Sequence, residues 1–590
     1  MTLRNSFPTR HKNRLLIGVV AVAIATLFAS AATASAPTDE SFVASNAPGG
    51  GYLGINASPN FLNTFTNPFL IGKVLDGSGQ VTQAIACKGA SDPACSKATL
   101  WQGNSLWDFC KSDADTNCIV AVKANKSGVD LPVTLGDSFP SVRSQDFAGD
   151  PASHLPPGGQ THLVSIPGAP HASGDQYLVV SNGTVERHPG QTLFDNQIAL
   201  SIYAVHVVSG SYQVITHSTN AADYAGWAEA GVGGGADTSN YCIMNDFTQC
   251  AIPEALPMDV TFDVQLRVNF PVINWFSGRM QSPNIVLTDL GNGNTLLDIA
   301  ASPTRVPAVF GYAKKSDLPS NLQQFYAGLP FPLGGQMAFS NGGGSFAQIE
   351  KGDPNSWSLL RDLTSYDQQT MDEFVMWLPL IHDSADAMQT LWTFRTMNGN
   401  GNNSCLQSNS SLGGIVSTNA TMYIEGPPTF DNQTQTLDYK VAAPHFEKDG
   451  STPFIGSYDL AIRSDVARCL YHFTSAPVKA SVSIVSDSGQ NEVAATTLTE
   501  HDGFIYLSAK GFEFSNPVIQ VKLFQDPVAT PTASPTPSPA VVPTATQSPA
   551  SASKVSKKPT YITCINVQTH KLKTFISTPA GCPNHYKLKK

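Results

Sequence analysis

Three kinds of side chain have the types and spacing for chemistry. The ten cysteines are Cys87, Cys95, Cys110, Cys118, Cys242, Cys250, Cys405, Cys469, Cys564 and Cys582. The neighbours 87/95, 110/118 and 242/250 share one separation, eight residues, which closes a small loop in an oxidising compartment. Those three pairings are predicted, together with 405–469 and 564–582. No C-x-x-C occurs and no histidine stands at ligand spacing from a cysteine, which argues against zinc. The carboxylate-rich run Asp113-Ala114-Asp115-Thr116-Asn117 begins like a calcium loop. Cys118 stands where the turn glycine belongs and Ala124 where the bidentate acid belongs, so an EF-hand is excluded. An irregular calcium site between the cysteines is left, and calcium is the one cofactor that the acidic body suggests. Finally, Trp101, Trp107 and Phe109 cluster between the first two cysteine loops. Aromatic faces stack on sugar rings, and a pinned loop presents them at little cost in entropy. Trp101 and Trp107 are therefore the candidate glycan contacts; the competing reading makes these rings a small core under a loop-rich region.

Catalytic patterns are weaker. Glu500-His501-Asp502 has the residue types of an acid–base cluster, but it adjoins an expected hairpin turn, and neighbours along a strand point to opposite faces. His382-Asp383 precedes Ser384, where Asp is ordinary at a helix cap. Gly231-Val232-Gly233-Gly234-Gly235-Ala236 fits a loose dinucleotide pattern without a strand before it or a helix after it, and reads as a loop. Leu131-Pro132-Val133-Thr134-Leu135-Gly136 resembles a sorting signal but has no apolar tail behind it, and reads as a strand and turn. There is no nucleophile elbow and no H-E-x-x-H. A triad assembled across the fold is invisible at this level.

The elements that must carry these residues begin with an export signal. Arg4, Arg10, Lys12 and Arg14 precede an apolar run, Leu15 to Ala29, and small residues follow. Cleavage is expected after Ala34, so residues 1–34 are the signal peptide, with an uncleaved membrane anchor as the alternative. No lipobox cysteine follows. No later run is apolar and long enough to span a bilayer.

Charge is divided sharply. Residues 1–36 hold four of the 35 bases and 527–590 hold eight, with no acid in either, which leaves 23 bases against 45 acids in the body, a net of −22. Such a body does not bind nucleic acid nonspecifically. From Pro527 to Ser553 there are only Pro, Ala, Ser, Thr, Val and one Gln. That composition favours an extended polyproline path, roughly 80 Å at about 3.1 Å per residue if fully stretched. Residues 527–558 are assigned as a disordered linker, suited also to O-glycosylation. The remainder, 559–590, is expected to be a basic hairpin clamped by Cys564–Cys582. Lys554, Lys557, Lys558, Lys571, Lys573, Lys587, Lys589 and Lys590 suit an anionic partner such as wall polymer or lipid headgroups.

The body reads as mainly all-β, a multi-domain β-sandwich. Val260 to Phe270 alternates apolar and polar residues over its whole length, the mark of a strand with one buried and one wet face. Hairpins are expected around Ser181-Asn182-Gly183, between Tyr177–Val180 and Thr184–Arg187; around Ser209-Gly210-Ser211, between Ile198–Val208 and Tyr212–Thr216; and around Gly291-Asn292-Gly293-Asn294. A short helix is expected from Asp317-Leu318-Pro319 to Gly328, and a second through Met371, Phe374, Val375 and Leu378. From 431 to 526 seven short strands are expected, over 437–441, 457–463, 467–473, 478–485, 492–498, 504–509 and 518–524, an immunoglobulin-like sandwich or, alternatively, a barrel. The boundaries are therefore 35–255, a β-rich domain with three disulfide loops; 256–430, a β-rich domain with a few helices; and 431–526, the sandwich.

Two stretches carry a resemblance. Arg463-Ser464-Asp465-Val466-Ala467-Arg468-Cys469-Leu470-Tyr471-His472-Phe473, with Ala476-Pro477-Val478, Ala494-Ala495-Thr496-Thr497, Asp502-Gly503-Phe504 and Leu507-Ser508-Ala509, resembles a signature of secreted actinobacterial surface proteins of unknown function. Ile562-Thr563-Cys564 through Cys582-Pro583 and Tyr586-Lys587 resembles the lysine-rich C-terminal motif of the same proteins. His585 replaces the usual Gly before that Tyr, and Asn566-Val567 the usual Lys-Gly. The resemblance covers about 395–526 and the tail. It implies an exported, cell-surface, non-enzymatic protein and brings no assigned chemistry.

The functional expectation is a surface-associated binding or structural protein, with a glycan or protein ligand for the body and the anionic envelope for the tail. Two rivals stand beside it: a secreted hydrolase acting on polysaccharide through paired carboxylates, and a subunit of an envelope lattice.

Overall fold

The chain's computed structural model describes 38–525 except 43, 46, 60–67, 141–145, 213–241, 247, 329–337, 340–357, 364–366, 398–400, 408–410, 475–476, 486–490, 493–494 and 515–517; beyond 525 it describes the backbone of three strands. The signal peptide, the linker and the Gly231–Ala236 loop lie outside the described residues.

The fold is mainly β, in several sheets and with few helices. The largest sheet has a spine that runs, neighbour to neighbour, through Val81–Ala86, Phe69–Leu75, Leu100–Leu106, Gln176–Arg187, Asp195–Ser209, Ala387–Met397, Asn274–Arg279, Leu412–Thr418, Ile455–Arg463, Phe504–Glu513 and Ala495–His501. Every step is antiparallel except that between Asn274–Arg279 and Leu412–Thr418. A five-stranded sheet, Gln281–Gly291, Asn294–Ser302, Val260–Val268, Cys118–Lys126 and Val129–Leu131, lies on one face. A six-stranded sheet containing Thr436–Ala442, Lys479–Val485 and Val518–Phe524 contributes to the core on the other.

The strand Ile455–Arg463 shows why the large sheet is a middle layer. Tyr458, Leu460 and Ile462 enter one core, with Leu437, Tyr439 and the helices, while Ala461 enters the second, with Val264, Leu266 and Ile299. Both faces are covered, so its burial is nearly continuous. Val260–Val268 covers the sheet on one side only and keeps strict alternation, as expected.

Among the described residues the α-helices are Ser320–Gly328 and Gln368–Trp377, both anticipated, and Ser464–Tyr471, which was expected to be a strand over 467–473. The correction has a local cause. Val466, Ala467 and Leu470 face the core at helical spacing, and Cys469 is tied to Cys405. His472 then ends the helix in a left-handed conformation, φ 54°, its amide bonded to the Arg468 carbonyl.

The hairpin expected at Ser181-Asn182-Gly183 is also corrected. Gln176–Arg187 is one unbroken strand, paired along Asp195–Ala204. Ser181 and Asn182 are buried, and Gly183 lies under the Trp107 indole, where a Cβ would meet ring atoms at 3.3 Å. The ladder along this 12-residue strand outweighs the turn preference of Asn-Gly. After Ser209 the neighbour is Gln249–Glu254 rather than the run from Tyr212, and 213–216 lie outside the described residues. The hairpin at 291–294 is as expected, with Asn292 and Gly293 at φ 54° and 78°.

The body forms one compact unit, 1–526, and the tail, 527–590, a second. Within the body, the expected boundaries at 255/256 and 430/431 fall inside paired sheets. Cys118–Lys126 pairs with Val260–Val268, Asp195–Ser209 with Ala387–Met397, and Leu412–Thr418 with Ile455–Arg463. In the tail, Tyr561–Asn566 pairs with Leu572–Ile576, the expected hairpin, and with a third strand, Tyr586–Leu588.

Candidate functional site

Four of the five expected disulfides are formed: Cys87–Cys95, Cys110–Cys118, Cys242–Cys250 and Cys405–Cys469. Cys564–Cys582 and the eight tail lysines lie outside the residues whose side chains are described. In backbone register, Lys573 is the ladder partner of Cys564 and Lys587 of Ile565.

Trp101 and Trp107 are not surface contacts. Both are buried, at 2% and 0% exposure. Trp101 packs edge-on to Phe194 and under the Arg187 guanidinium, in a core that includes Cys87 and Cys95; Trp107 packs against Phe270. Neither offers a free face to a sugar, and their assignment as glycan contacts is corrected to core. The disulfide loops have too little apolar surface of their own, so the large rings fill the space beneath them.

The carboxylates of the calcium-like loop are used internally. Asp115 accepts from the Lys111 and Ser112 amides at 2.6 and 2.8 Å and from Ser112 Oγ at 2.9 Å, which holds its carboxyl below the usual range. Asp113 is fully exposed. Among the described residues no group of three or more His, Cys, Asp or Glu is arranged to hold a metal ion.

Histidine–acid contacts are several. His171 Nδ1 lies 2.5 Å from Glu254, but its Nε2 meets the Gln176 carbonyl, and Ser173 bonds to the acid rather than to the imidazole. His162 meets Asp108 at 3.0 Å, and His445 meets Asp383 at 2.5 Å. Among the described residues none of these imidazoles has a serine hydroxyl on its second nitrogen. One carboxyl is raised with the help of another: Asp263, 3.2 Å from Lys123, is pushed up to about 6 by burial and by the neighbouring Asp298. It sits on the alternating polar face of Val260–Val268, beside a residue of the neighbouring strand and not in the groove that holds Asp459 and His501.

A groove of about 260 Å³ lies where the edge of the large sheet meets the start of Gln281–Gly291. Register puts Asp459, Ser508 and Thr497 in one cross-strand row on Ile455–Arg463, Phe504–Glu513 and Ala495–His501, and Ala461, Tyr506 and Thr499 in the next. Side chains two apart share a face, so Thr497, Thr499 and His501 line the groove together. Its opposite wall is Ser282-Pro283-Asn284, where the pairing with Asn294–Ser302 slips and Ser282 takes φ 51°. That bulge aims the Ser282 amide at Asp459, 3.1 Å away, and Tyr506 ties the wall down by bonding the amide and carbonyl of Ile285 at 3.1 and 3.0 Å.

Asp459 is 3% exposed. Burial raises its pKa, and the Ser508 hydroxyl, the Ser282 amide and the Lys510 ammonium oppose that rise. Ser508 Oγ makes no well-formed hydrogen bond, and Asn284 Oδ1 is buried without a partner among the described residues. The imidazole of His501 stacks on the Tyr506 ring at 4.4 Å and bonds Asp502 at 2.9 Å through Nδ1. The groove thus combines unfilled acceptors, hydroxyls and an aromatic wall.

Sequence alone separated the three parts of the Glu500-His501-Asp502 run only as a turn. In the structure Glu500 pairs with Arg468 at 2.7 Å, Asp502 takes a left-handed turn conformation, and His501 faces the groove. The alternation Thr497, Thr499, His501 against Leu498 was the available signal for that edge. Asp459, Ser282 and Asn284 had none, because they arrive from distant strands. No family model, curated protein or solved structure matches this chain.

Proposed function

We propose that this chain is an exported, cell-envelope-associated binding protein: a cross-braced β body that presents a small polar groove, and a basic C-terminal unit that engages an anionic envelope polymer or headgroup. The observation that carries the reading is that the charge reversal in the sequence coincides with the structural division. The body unit ends at 526; the acid excess of 22 over residues 37–526 gives way there to eight lysines and no acid in 527–590. Like charges on the tail favour an anionic surface, and the acidic body is repelled by it, which orients the interaction. Four disulfides in the body are compatible with an oxidising, extracellular setting, and among the described residues no helix is long and apolar enough to cross a membrane.

The test is to remove 554–590 and compare cell-bound and released protein. The truncated chain is expected in the medium while the full chain stays with the cells. Retention of the truncated chain on cells would overturn the assignment of the tail as the anchor.

A further inference from the structure

We infer that the groove between Ser282–Asn284 and the edge strands 495–510 is a binding site for a neutral, ring-sized sugar residue. This names the ligand class of the groove and rests on the binding-protein reading.

The inventory of hydrogen-bonding groups decides the class. The acceptors are the buried Asp459 carboxylate and Asn284 Oδ1, which has no partner among the described residues. An acceptor buried without a donor costs about 1–3 kcal/mol, so a ligand rich in O–H groups is the complement the site lacks. Thr497, Thr499, Ser282 and Ser508 contribute hydroxyls that both donate and accept, matching sugar hydroxyls that do the same. His501, stacked on Tyr506, supplies a flat wall against which the C–H face of a pyranose can lie. The hydrogen bond from Nδ1 to Asp502 helps hold the ring in plane.

Size and charge narrow the class further. A volume of about 260 Å³ is below the roughly 300 Å³ at which pockets for drug-sized ligands begin, and suits a single ring at a time. The groove is open, so the ring can belong to a longer chain that continues outside it. Lys510 reaches Ser282 Oγ at 3.4 Å and offsets the Asp459 charge, which disfavours a second cation in the same place. The components sit on a sheet edge and a bulge held by Tyr506, and such rigid placement lowers the ordering cost of binding.

The experiment is calorimetric titration of the full chain with glucose, galactose, mannose and N-acetylglucosamine, and with glucosamine as the cationic comparison. At least one neutral sugar is expected to bind. Thr499→Val and His501→Ala, both at exposed positions, are expected to weaken that binding about tenfold each without lowering the melting temperature, and Asp459→Asn to weaken it at least as much. Absence of binding by all four neutral sugars would overturn the inference. So would binding that survives both exposed substitutions, or binding of glucosamine alone, which would make the groove a cation site. Envelope retention through the tail is read in a separate assay, so the groove and the anchor can each fail alone.

Discussion

Glu373 is fully buried, and Arg361 grips it with two bonds of 2.7 and 2.8 Å while Tyr326 donates to it at 2.6 Å and Trp377 to Tyr326 at 2.8 Å. Neutralising one partner leaves the guanidinium without its counter-charge. Glu373→Gln is expected to lower the body's unfolding free energy by about 3 kcal/mol in urea titration. Two other groups give pH signatures. Asp383 raises the pKa of His445 above the ordinary imidazole value, and Glu513 adds to it. The protonated imidazole is bound more tightly in the folded state, so this contribution is complete below about pH 6.5 and disappears as pH rises through the raised value. The melting temperature should fall over that window, and His445→Gln should flatten the slope. Asp263 also has a raised pKa, about 6, but for the opposite reason: its charged form is disfavoured. Stability present below the usual carboxyl range is lost as pH climbs to about 6. Asp263→Asn is expected to remove that loss and to stabilise the body at neutral pH by on the order of 1 kcal/mol after solvent screening, measured by denaturant titration.

At the scale of elements, the four described disulfides do unequal work. Three close loops with a separation of eight; Cys405–Cys469 spans 64. In the chain-entropy view the long bridge stabilises by about 4 kcal/mol and each short one by about 2.5. The Cys405→Ser, Cys469→Ser double variant should therefore lose more stability than the Cys87→Ser, Cys95→Ser pair, as read from denaturation midpoints. It should also loosen the helix Ser464–Tyr471, detectable as faster amide exchange there. The elements themselves were unevenly legible. Val260–Val268, the 291–294 turn and the two helices after 317 followed from local pattern, because one face of each is wet and period or capping marks it. Gln176–Arg187 and Ser464–Tyr471 depart from their local pattern because partners distant in sequence overrule it: a long ladder over Asn-Gly, and a disulfide and core contacts over a strand-like apolar run.

For the whole molecule, the acidic body and basic tail predict that envelope attachment weakens with salt. Association of the full chain with an anionic polymer should fall as ionic strength rises from about 0.01 to 0.15 M, over which the screening length shrinks from roughly 30 to 8 Å, and the chain lacking 554–590 should show no such dependence. Composition and spacing by themselves determined the β class, four cysteine pairings now seen in the body, and the break after 526, since each depends on neighbours in the chain or on totals along it. Only the tertiary structure decided that the tryptophans are core, that the body interleaves its strands across both expected boundaries, and that Ser282, Asp459 and His501 meet in one groove. The hydrogen bond between Ser282 and Asp459, 177 residues apart, joins strands of two different sheets, and no periodicity within a single segment encodes which distant strand will lie against it.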